Sequence, residues 1–317
     1  MYTPDQSAWS REAKDATDAT EAMSQLRDQL AKDGYCVIAG ILDADLIDHA
    51  RAVSAGALAQ ATADHRARNR SQGSLINMAD YPAYAAVIGH PALRRVFADL
   101  RFADPRFSSG YLISKPPGGP PLFWHQDWWG WDDPLSYGPA LAQLFFMIYL
   151  TDTSPENGCL RVIPGSHRRP HRLHEALAAH GEALSRVDNP DDPLFGPMPD
   201  EVAVPVRAGD LVVGDARLLH AAHANRSGEE RSLLTLWFHP DFASLPAGMR
   251  ARIRQTYERR GVDTDPVGGS AMTPDDWPAE ARDTVTDLLV PGGQTAPPHD
   301  WNRVPDWPQG ATAPPAA

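Results

Sequence analysis

The feature that most constrains the fold is a series of short apolar runs, each ended by turn-forming residues, that begins near residue 107. The runs are rich in β-branched and aromatic residues, and they are separated by clusters of Pro, Gly, Asn, Asp and Ser. Seven such runs stand at residues 111–113, 123–124, 144–150, 160–163, 202–206, 211–213 and 232–238. Many short strands with this punctuation are typical of a sandwich or jelly roll. We therefore predict a mainly-β protein with flanking helices, whose core is a jelly roll (cupin-like) over residues 107–240.

The first 106 residues have a different pattern, which predicts helices and one early strand. Met23, Leu26 and Leu30 recur at helical spacing and the run stops at Gly34, after which residues 35–38 form a short apolar strand. Asp43 is a candidate N-cap of a helix that extends to about residue 62, and residues 91–100 begin with proline, as helices often do.

These patterns indicate one domain over residues 1–263, followed by an extension over 264–317. Within the domain, residues 167–200 are polar and rich in His and Arg, and we predict an insertion or solvated lid there. The extension is rich in proline, and we expect one helix near residues 280–289. Its tryptophans (Trp277, Trp301 and Trp307) predict that it packs against the domain.

Composition excludes several classes of protein. The 317-residue chain carries a formal net charge of −12, which argues against a nucleic-acid partner. Its two cysteines cannot form a disulfide framework, so we expect free thiols and a reducing compartment. The N-terminus lacks the pattern of a signal peptide, and the longest apolar stretch, residues 141–150, is about half the length of a membrane span. We therefore expect a cytoplasmic protein that acts on a small molecule and has no membrane partner.

A His-x-Asp motif in the β-rich region predicts a metal site. His125 and Asp127 are two residues apart and would share one face of a strand. We expect His220, at the end of a later strand, to supply the third ligand; His223 is the competing candidate, and we prefer His220 because it directly follows two leucines. Two histidines and one carboxylate form the facial triad of non-haem Fe(II) oxygenases, which leaves coordination positions for a cosubstrate and O₂.

Arg231 follows His220 by eleven residues, across a turn-forming segment. If the two flanking strands form a hairpin, Arg231 faces the same cavity as the metal, where its planar guanidinium would bind a carboxylate in bidentate fashion. A dicarboxylate such as 2-oxoglutarate would then chelate the metal at one end and reach Arg231 at the other. The alternative is a surface ion pair with Glu229 or Glu230.

Taken in order, several motifs over residues 30–240 resemble the phytanoyl-CoA dioxygenase (PhyH) family. They are Asp33-Gly34-Tyr35, Lys115-Pro116-Pro117, His125-Gln126-Asp127, Glu156-Asn157-Gly158-Cys159-Leu160, Ile163-Pro164-Gly165-Ser166-His167, Gly209-Asp210 and Leu219-His220 with Arg231. The resemblance implies a double-stranded β-helix, with Fe(II) on His125, Asp127 and His220, and 2-oxoglutarate on Arg231. It also places Lys115 where some members hold the cosubstrate, whereas Ala222 stands where some members have a hydroxyl residue.

The resemblance implies a dioxygenase that uses O₂ to hydroxylate or otherwise oxidise a substrate C–H bond, with release of succinate and CO₂. Related halogenases lack the carboxylate ligand, so Asp127 favours oxidation over halogenation. Trp128 and Trp129 follow the motif, and we expect at least one of them to line the substrate pocket. Two other functions remain open: a jelly-roll binding protein without turnover, and a Zn- or Mn-dependent cupin-type isomerase or hydrolase.

Overall fold

The computed structural model describes residues 21–176, 181–258 and 272–307, and these ranges contain both helices and strands. The helices are α1 (21–33), α2 (Ala44–Leu58), α3 (Ala63–Arg68), α4 (Ala85–Ile88), α5 (Pro91–Asp99), α6 (Glu182–Arg186), α7 (Ala247–Tyr257) and α8 (Ala279–Asp283). The strands are β1 (Tyr35–Ile38), β2 (Ile76–Asn77), β3 (Arg106–Lys115), β4 (Leu122–His125), β5 (Leu144–Tyr149), β6 (Leu160–Val162), β7 (Val202–Val204), β8 (Leu211–Asp215), β9 (His220–Ala222) and β10 (Arg231–His239). None of the helices described here is long and apolar enough to cross a membrane.

The strands form two antiparallel sheets that face each other. The larger sheet has the order β1-β8-β5-β10-β3-β2, and the smaller has the order β4-β9-β6-β7. Strand β5 shows why both faces of the larger sheet are buried: Phe145, Met147 and Tyr149 point between the sheets, while Leu144 and Phe146 pack under the helices. With helices on one face and the second sheet on the other, the chain adopts the predicted double-stranded β-helix, although neither sheet closes on itself.

Local chemistry explains the positions of the N-terminal helices. The Asp43 side chain accepts a hydrogen bond from the Leu46 amide at 2.9 Å, and it caps α2 as predicted. That helix ends at Leu58 rather than near residue 62, because Thr62 starts a new helix: its hydroxyl accepts from the His65 amide at 3.1 Å. Strand β1 occupies the predicted residues, and α5 begins at Pro91 as predicted.

Residues 167–200 are placed differently from the expectation of a solvated lid. Their apolar side chains pack on the outer face of the smaller sheet, against Trp124, Leu219 and Ala221. Two arginines of the segment donate to main-chain carbonyl oxygens, Arg168 to that of Ala31 on α1 and Arg169 to that of Pro164. The described part of this segment therefore covers the smaller sheet, because burial of its leucines contributes more to its packing than its charges do. Residues 177–180 lie outside the described part.

The hairpin expected between His220 and Arg231 does not form. Strand β9 pairs with β4 and β6 in the smaller sheet, whereas β10 pairs with β3 and β5 in the larger one. The intervening turn therefore carries the chain from one sheet to the other. This correction matters for the site, because His220 and Arg231 lie on opposite layers rather than on neighbouring strands.

The C-terminal extension packs on the domain, as its tryptophans indicated. The indole nitrogen of Trp277 donates to the carbonyl oxygen of Ala79 at 2.7 Å, and Arg94 pairs with Asp287. The helix expected at 280–289 is shorter, since α8 spans Ala279–Asp283 and a single 3₁₀ turn follows at Thr286–Leu288. Residues 264–271 and 308–317 of the extension lie outside the described residues.

Candidate metal centre and substrate cavity

The two predicted histidine ligands face each other across neighbouring strands. His125 ends β4 and His220 begins β9, and their Cα atoms are register partners. Their ring centroids are 4.1 Å apart, as expected for a directly opposed pair. The pairing of two short strands therefore brings together two residues that lie 95 positions apart in the chain.

Asp127 completes the cluster from the loop that follows β4. Its Oδ1 lies 3.7 Å from Nε2 of His125, and its Oδ2 lies 3.8 Å from Nε2 of His220. One ligand atom from each of the three residues falls within 4.8 Å of the others. The strand predicted to carry both His125 and Asp127 ends at His125, so the shared face arises from the loop and not from strand alternation.

Three hydrogen bonds hold that loop and its carboxylate in place. The amides of Asp127 and Trp128 both donate to the carbonyl oxygen of Ala216, at 2.8 and 2.9 Å. The indole nitrogen of Trp237, on β10, donates to Oδ2 of Asp127 at 2.8 Å. The carboxylate is thus anchored by its own backbone on one side and by the larger sheet on the other, which orients it toward the histidines.

The histidine hydrogen bonds decide which ring nitrogens can bind a metal. Nδ1 of His125 lies 2.9 Å from the Phe123 carbonyl oxygen, and Nδ1 of His220 lies 3.0 Å from that of Leu218. A carbonyl oxygen only accepts, so each Nδ1 carries the hydrogen and each Nε2 presents a lone pair toward Asp127. Burial, together with the nearby His220, lowers the pKa of His125 to about 3, so this imidazole is neutral at neutral pH.

The donor set fits one class of metal better than others. Two neutral imidazole nitrogens and one carboxylate on one side of a point are the ligands of non-haem ferrous sites. A structural zinc site usually has four protein ligands, and this cluster supplies three among the described residues. The residues present therefore fit a ferrous ion with open coordination positions.

Arg231 lies deep in the protein with an incomplete set of partners. It is 2% exposed, and within the described residues its Nε and Nη1 have no hydrogen-bond partner. The expected alternative, a surface ion pair with a neighbouring glutamate, is wrong, since Glu230 instead pairs with Arg66 at 3.3 Å. Burial lowers the pKa of Arg231, which shows the cost of holding this charge without a counter-ion.

Arg231 packs closely against the backbone at Gly158 and is not among the residues that line the cavity beside the metal cluster. A Cβ placed at Gly158 would lie 3.5 Å from Nε of Arg231 and 3.0 Å from the His223 carbonyl oxygen. On β10, Arg231 shares its face with Leu233, Thr235 and Trp237, since side chains two apart point the same way. Arg231 and Trp237 therefore lie on the same face of β10, and this face is directed toward the metal cluster.

Lys115 is also buried, but its ammonium group has protein partners. Its Nζ donates to the carbonyl oxygens of Pro120 and, at 3.3 Å, of His223. Burial and the nearby Arg231 lower its pKa well below the usual value. The contact between Lys115 and a cosubstrate stays a prediction. The imidazole of His223, the competing ligand candidate, is not part of the metal cluster.

A cavity of about 720 Å³ opens beside the three ligands. Trp129 lines it, as expected for one of the two tryptophans. Trp128 does not: it is fully buried, and its indole nitrogen donates to Oγ of Ser136 at 2.8 Å. The expectation for Trp128 is therefore corrected to a core role, because its ring packs in a buried cluster with Trp131 and Met249.

Several residues of the site were not anticipated from the sequence. They are Trp237, which bonds Asp127, and Arg252, Trp301 and Arg303, which line the cavity. Because side chains two apart on a strand share a face, the sequence could have placed Trp237 on the same face as Arg231 and so identified it as a candidate site residue. No comparable signal existed for the other three, since they reach the cavity only through the packing of the C-terminal region.

The chain was compared with known protein families and curated proteins. The model of the family described as "Phytanoyl-CoA dioxygenase (PhyH)" matches residues 30–233. A probable alpha-ketoglutarate-dependent hypophosphite dioxygenase of Stutzerimonas stutzeri is 30% identical over 141 residues, 42% of this chain and 44% of that protein. An ectoine dioxygenase of Sphingopyxis alaskensis is 27% identical over 228 residues, 61% of this chain and 68% of that protein.

Solved structures share the fold at lower identity. The epimerase SnoN from nogalamycin biosynthesis, described as non-haem and alpha ketoglutarate dependent, has a TM-score of 0.53 and 22% identity, and covers 80% of this chain and 93% of its own. EctD from S. alaskensis with bound Fe has a TM-score of 0.51 and 22% identity, and covers 69% of this chain and 76% of its own. Against the first curated relatives the chain spans about half of their length, 44% and 52%.

Proposed function

This chain belongs to the phytanoyl-CoA dioxygenase family, and we propose that it is an Fe(II)- and 2-oxoglutarate-dependent dioxygenase of a small-molecule substrate. The reaction oxidises a substrate C–H bond, by hydroxylation or a related oxidation, and releases succinate and CO₂. The observation that carries this proposal is the convergence of His125, Asp127 and His220 within 4.8 Å, beside a cavity of about 720 Å³.

In this proposal the three side chains hold ferrous iron. His125 and His220 bind through Nε2, because hydrogen bonds to main-chain carbonyls occupy Nδ1 of each ring. Asp127 contributes a carboxylate oxygen, and the indole of Trp237 keeps the carboxylate from rotating away. When bound, iron and 2-oxoglutarate supply the coupled chemistry of O₂ reduction, oxidative decarboxylation and C–H oxidation. The protein supplies the orientation of the reactants and a cavity walled by apolar groups.

Arg231 binds the distal carboxylate of 2-oxoglutarate in this proposal. A buried guanidinium with two unpartnered nitrogens, counted among the described residues, is costly unless a ligand neutralises it. Its planar fork suits a carboxylate, and the cosubstrate would recover the energy lost by burial. Lys115 lies near Arg231, and we propose that its side chain contacts the same cosubstrate in a supporting role.

The test is cosubstrate turnover by matched variants. Wild-type protein, incubated aerobically with Fe(II), ascorbate and 2-oxoglutarate, is expected to release succinate slowly without substrate. His125→Ala and Asp127→Ala should abolish that release, because each removes one of three ligands. His49→Ala, a change at an exposed histidine on α2, should retain wild-type turnover. Equal turnover in wild type and His125→Ala would overturn the assignment.

A second measurement separates the competing functions. Under anaerobic conditions, Fe(II) and 2-oxoglutarate together should produce a visible charge-transfer band in the wild type and none in His220→Ala. A band without aerobic succinate formation would favour a binding protein that lacks turnover. Activity that depends on Zn or Mn and survives Arg231→Ala would favour a cupin-type isomerase or hydrolase.

A further inference from the structure

Three polar side chains that line the cavity carry buried atoms without hydrogen-bond partners. The atoms are Oε1 of Gln143, Oγ1 of Thr235 and Nε2 of His239, and each lacks a partner among the described residues. The three residues are between 0% and 7% exposed, and bulk water does not reach these atoms. A buried polar atom that stays unpaired costs free energy of folding, so three of them at one cavity call for an explanation.

Two neighbouring segments of the larger sheet bring these side chains together. Thr235 and His239 lie on β10 an even number of residues apart, so their side chains share a face. Gln143 directly precedes β5, and the register that pairs Phe238 with Leu144 places it opposite His239. We call the group formed by Gln143, Thr235 and His239 the polar subsite.

The polar subsite lies beside the candidate metal ligands. Trp237, which stands midway along this stretch of β10, donates to Oδ2 of Asp127 at 2.8 Å. The carbonyl oxygen of Gln143 accepts from the Ala216 amide at 3.0 Å, and the carbonyl oxygen of Ala216 accepts in turn from the Asp127 amide at 2.8 Å. A group bound at the subsite is therefore held next to the candidate metal centre.

The local hydrogen bonds show which atoms of the subsite accept. Nδ1 of His239 lies 2.8 Å from the carbonyl oxygen of Ala142, which only accepts, so Nδ1 carries the hydrogen. Burial lowers the pKa of His239 to about 4, so at neutral pH the imidazole is uncharged and its Nε2 presents a lone pair. Oε1 of Gln143 is also an acceptor, and the hydroxyl of Thr235 both donates and accepts. The subsite thus offers two acceptors and one hydroxyl.

An uncharged set of this kind selects an uncharged donor. None of the three side chains carries a charge, so the subsite does not compensate an ammonium group for the water that it loses on binding. A hydroxyl group fits better, because it donates to an acceptor and accepts from the Thr235 hydroxyl at the same time. An ether or a hydrocarbon in the same place would leave the buried acceptors unpaired, and a site built for a hydroxyl rejects such analogues strongly.

The apolar lining of the cavity indicates what body the hydroxyl belongs to. Aromatic rings form much of this lining, and they include Trp129, Trp237, Tyr257 and Trp301. Trp301 stacks on Trp129 with ring centroids 5.4 Å apart and planes 11° from parallel. Aromatic faces and edges bury planar or alicyclic groups well, and a volume of about 720 Å³ is in the range of pockets that enclose a whole small molecule.

We propose that the substrate is a ring-bearing alcohol or phenol, and that Gln143, Thr235 and His239 bind its hydroxyl group next to the candidate metal centre. These residues then determine specificity, because they distinguish a hydroxylated ring from its ether or hydrocarbon analogue. The proposal rests on the function proposed above only for the role of the bound molecule as a substrate. Binding at the subsite itself requires neither iron nor turnover.

The test compares two probes that differ in one donor hydrogen. 2-Naphthol carries a hydroxyl, and 2-methoxynaphthalene has the same rings with that hydroxyl methylated. Titration of the full chain without added iron, followed by the naphthyl fluorescence, should show saturable binding of 2-naphthol. Its affinity should exceed that of the methyl ether about tenfold, the effect of a buried acceptor that the ether leaves unpaired. Equal affinities for the two probes, or no saturable binding of 2-naphthol, would overturn the proposal.

Variants of the subsite locate the effect. Thr235→Val keeps the shape of the side chain without its hydroxyl, and it should reduce the preference for 2-naphthol to less than about threefold. Thr235→Ser retains a hydroxyl and should retain the preference. Gln143→Met keeps the length of the side chain without its carbonyl, and it should reduce the preference as Thr235→Val does. A reduction in only one of these two positions would assign the hydroxyl contact to that residue.

Thr256→Val is the matched control. Thr256 also lines the cavity, but its hydroxyl already donates to the carbonyl oxygen of Arg252 at 3.1 Å, so the preference should be unchanged. A preference that survives both Thr235→Val and Gln143→Met would contradict the proposal, and circular dichroism of each variant shows that it is folded.

This outcome is distinguishable from the test of the reaction. Absence of the probe preference would remove the substrate class and leave the succinate assay as it stands. A retained preference without succinate formation would leave a hydroxyl-binding cavity in a protein without turnover.

Discussion

The indole nitrogen of Trp237 donates a 2.8 Å hydrogen bond to Oδ2 of Asp127, and this bond joins the two sheets at the candidate metal centre. Trp237 belongs to β10 of the larger sheet, whereas His125 and His220 belong to the smaller one. The three candidate ligands therefore depend on the relative position of both layers. This arrangement explains how a carboxylate on an irregular loop is held as firmly as two histidines on strands.

Trp237→Phe should weaken Fe(II) binding by about 10- to 100-fold, the usual effect of losing a hydrogen bond to a metal-ligating carboxylate. A phenyl ring remains at this position, so part of the aromatic packing is kept. Trp277→Phe is the control, because it removes an indole hydrogen bond to the Ala79 carbonyl, which involves none of the three candidate ligands. Calorimetric titration with Fe(II) under anaerobic conditions measures both. Equal affinities in Trp237→Phe and wild type would show that the bond does not orient Asp127.

Arg231→Gln should raise the KM for 2-oxoglutarate by about 10- to 100-fold, since a charge-assisted bidentate contact is lost. Arg231→Lys should recover only part of that loss, because an ammonium group cannot form the planar pair. Succinate formation at varied 2-oxoglutarate concentration gives the values. Arg226→Gln, at an exposed arginine on the preceding turn, should leave KM unchanged. An unaltered KM in Arg231→Gln would place the cosubstrate elsewhere.

Gly214→Ala should destabilise the fold by roughly 1–3 kcal/mol, the range for an overpacked core. A Cβ at Gly214, on β8, would overlap the ring of Phe145, which itself lies 4.9 Å from the ring of His220. Gly56→Ala is the contrasting control: it lies within α2 with open space around it, and it should stabilise by about 0.5–1 kcal/mol. Urea unfolding of both variants provides the comparison. A neutral Gly214→Ala would mean that the Phe145 ring can move without cost.

Arg217→Met should cost about 3–5 kcal/mol, because it leaves the carboxylate of Asp215 buried without its counter-ion. Asp215 is 1% exposed and Arg217 is 2% exposed, and their closest atoms are 2.6 Å apart. Burial by itself raises the pKa of Asp215, but the adjacent guanidinium outweighs it and the net shift is downward. The exposed pair of Arg186 and Glu182 offers the control, since Arg186→Met should leave the free energy of unfolding nearly unchanged. Similar losses in both variants would contradict this explanation.

Stability should fall as the pH decreases below the usual pKa of histidine, in part because of His239. Burial lowers the pKa of His239 to about 4 in the folded protein. Between the unfolded and folded pKa values, His239 binds a proton in the unfolded chain but not in the native protein. Its contribution to the free energy of unfolding is therefore fully present above about pH 6.5 and is lost as the pH falls toward about 4. From about pH 7.5 to about pH 5 the linked loss is roughly 2 kcal/mol.

His239→Gln removes that titration and should reduce the loss by this amount. Unfolding free energies of wild type and variant at the two pH values give the difference, and His49→Gln, at an exposed histidine, is the control. An identical pH dependence in His239→Gln and wild type would show that other groups account for the loss.

Much of the fold was predictable because its signals are local. In β5, β8 and β10, successive side chains pack on opposite faces of the sheet, so the strands are recognisable from their apolar residues. Asp43 caps α2 through a hydrogen bond to the amide three residues later. The motif at His125 and Asp127, with His220, was identified from residue types and spacing alone. The strand and cap predictions succeeded because their chemistry is carried by neighbouring residues, whereas the ligand set was identified from residue types that recur far apart in the chain.

The sequence by itself determined most of the secondary-structure pattern and the three candidate ligands, and it singled out Arg231 without deciding whether it is buried. The tertiary structure decided that His220 and Arg231 lie on different sheets, that Trp129 and not Trp128 reaches the cavity, and that residues 167–200 cover the smaller sheet. It also decided that Trp301 and Arg303 join the cavity wall. The physical reason is the same in each case. Which sheet a strand joins, and where a terminal segment packs, depend on contacts between residues that are distant in the chain, and no local pattern of residues predicts those contacts.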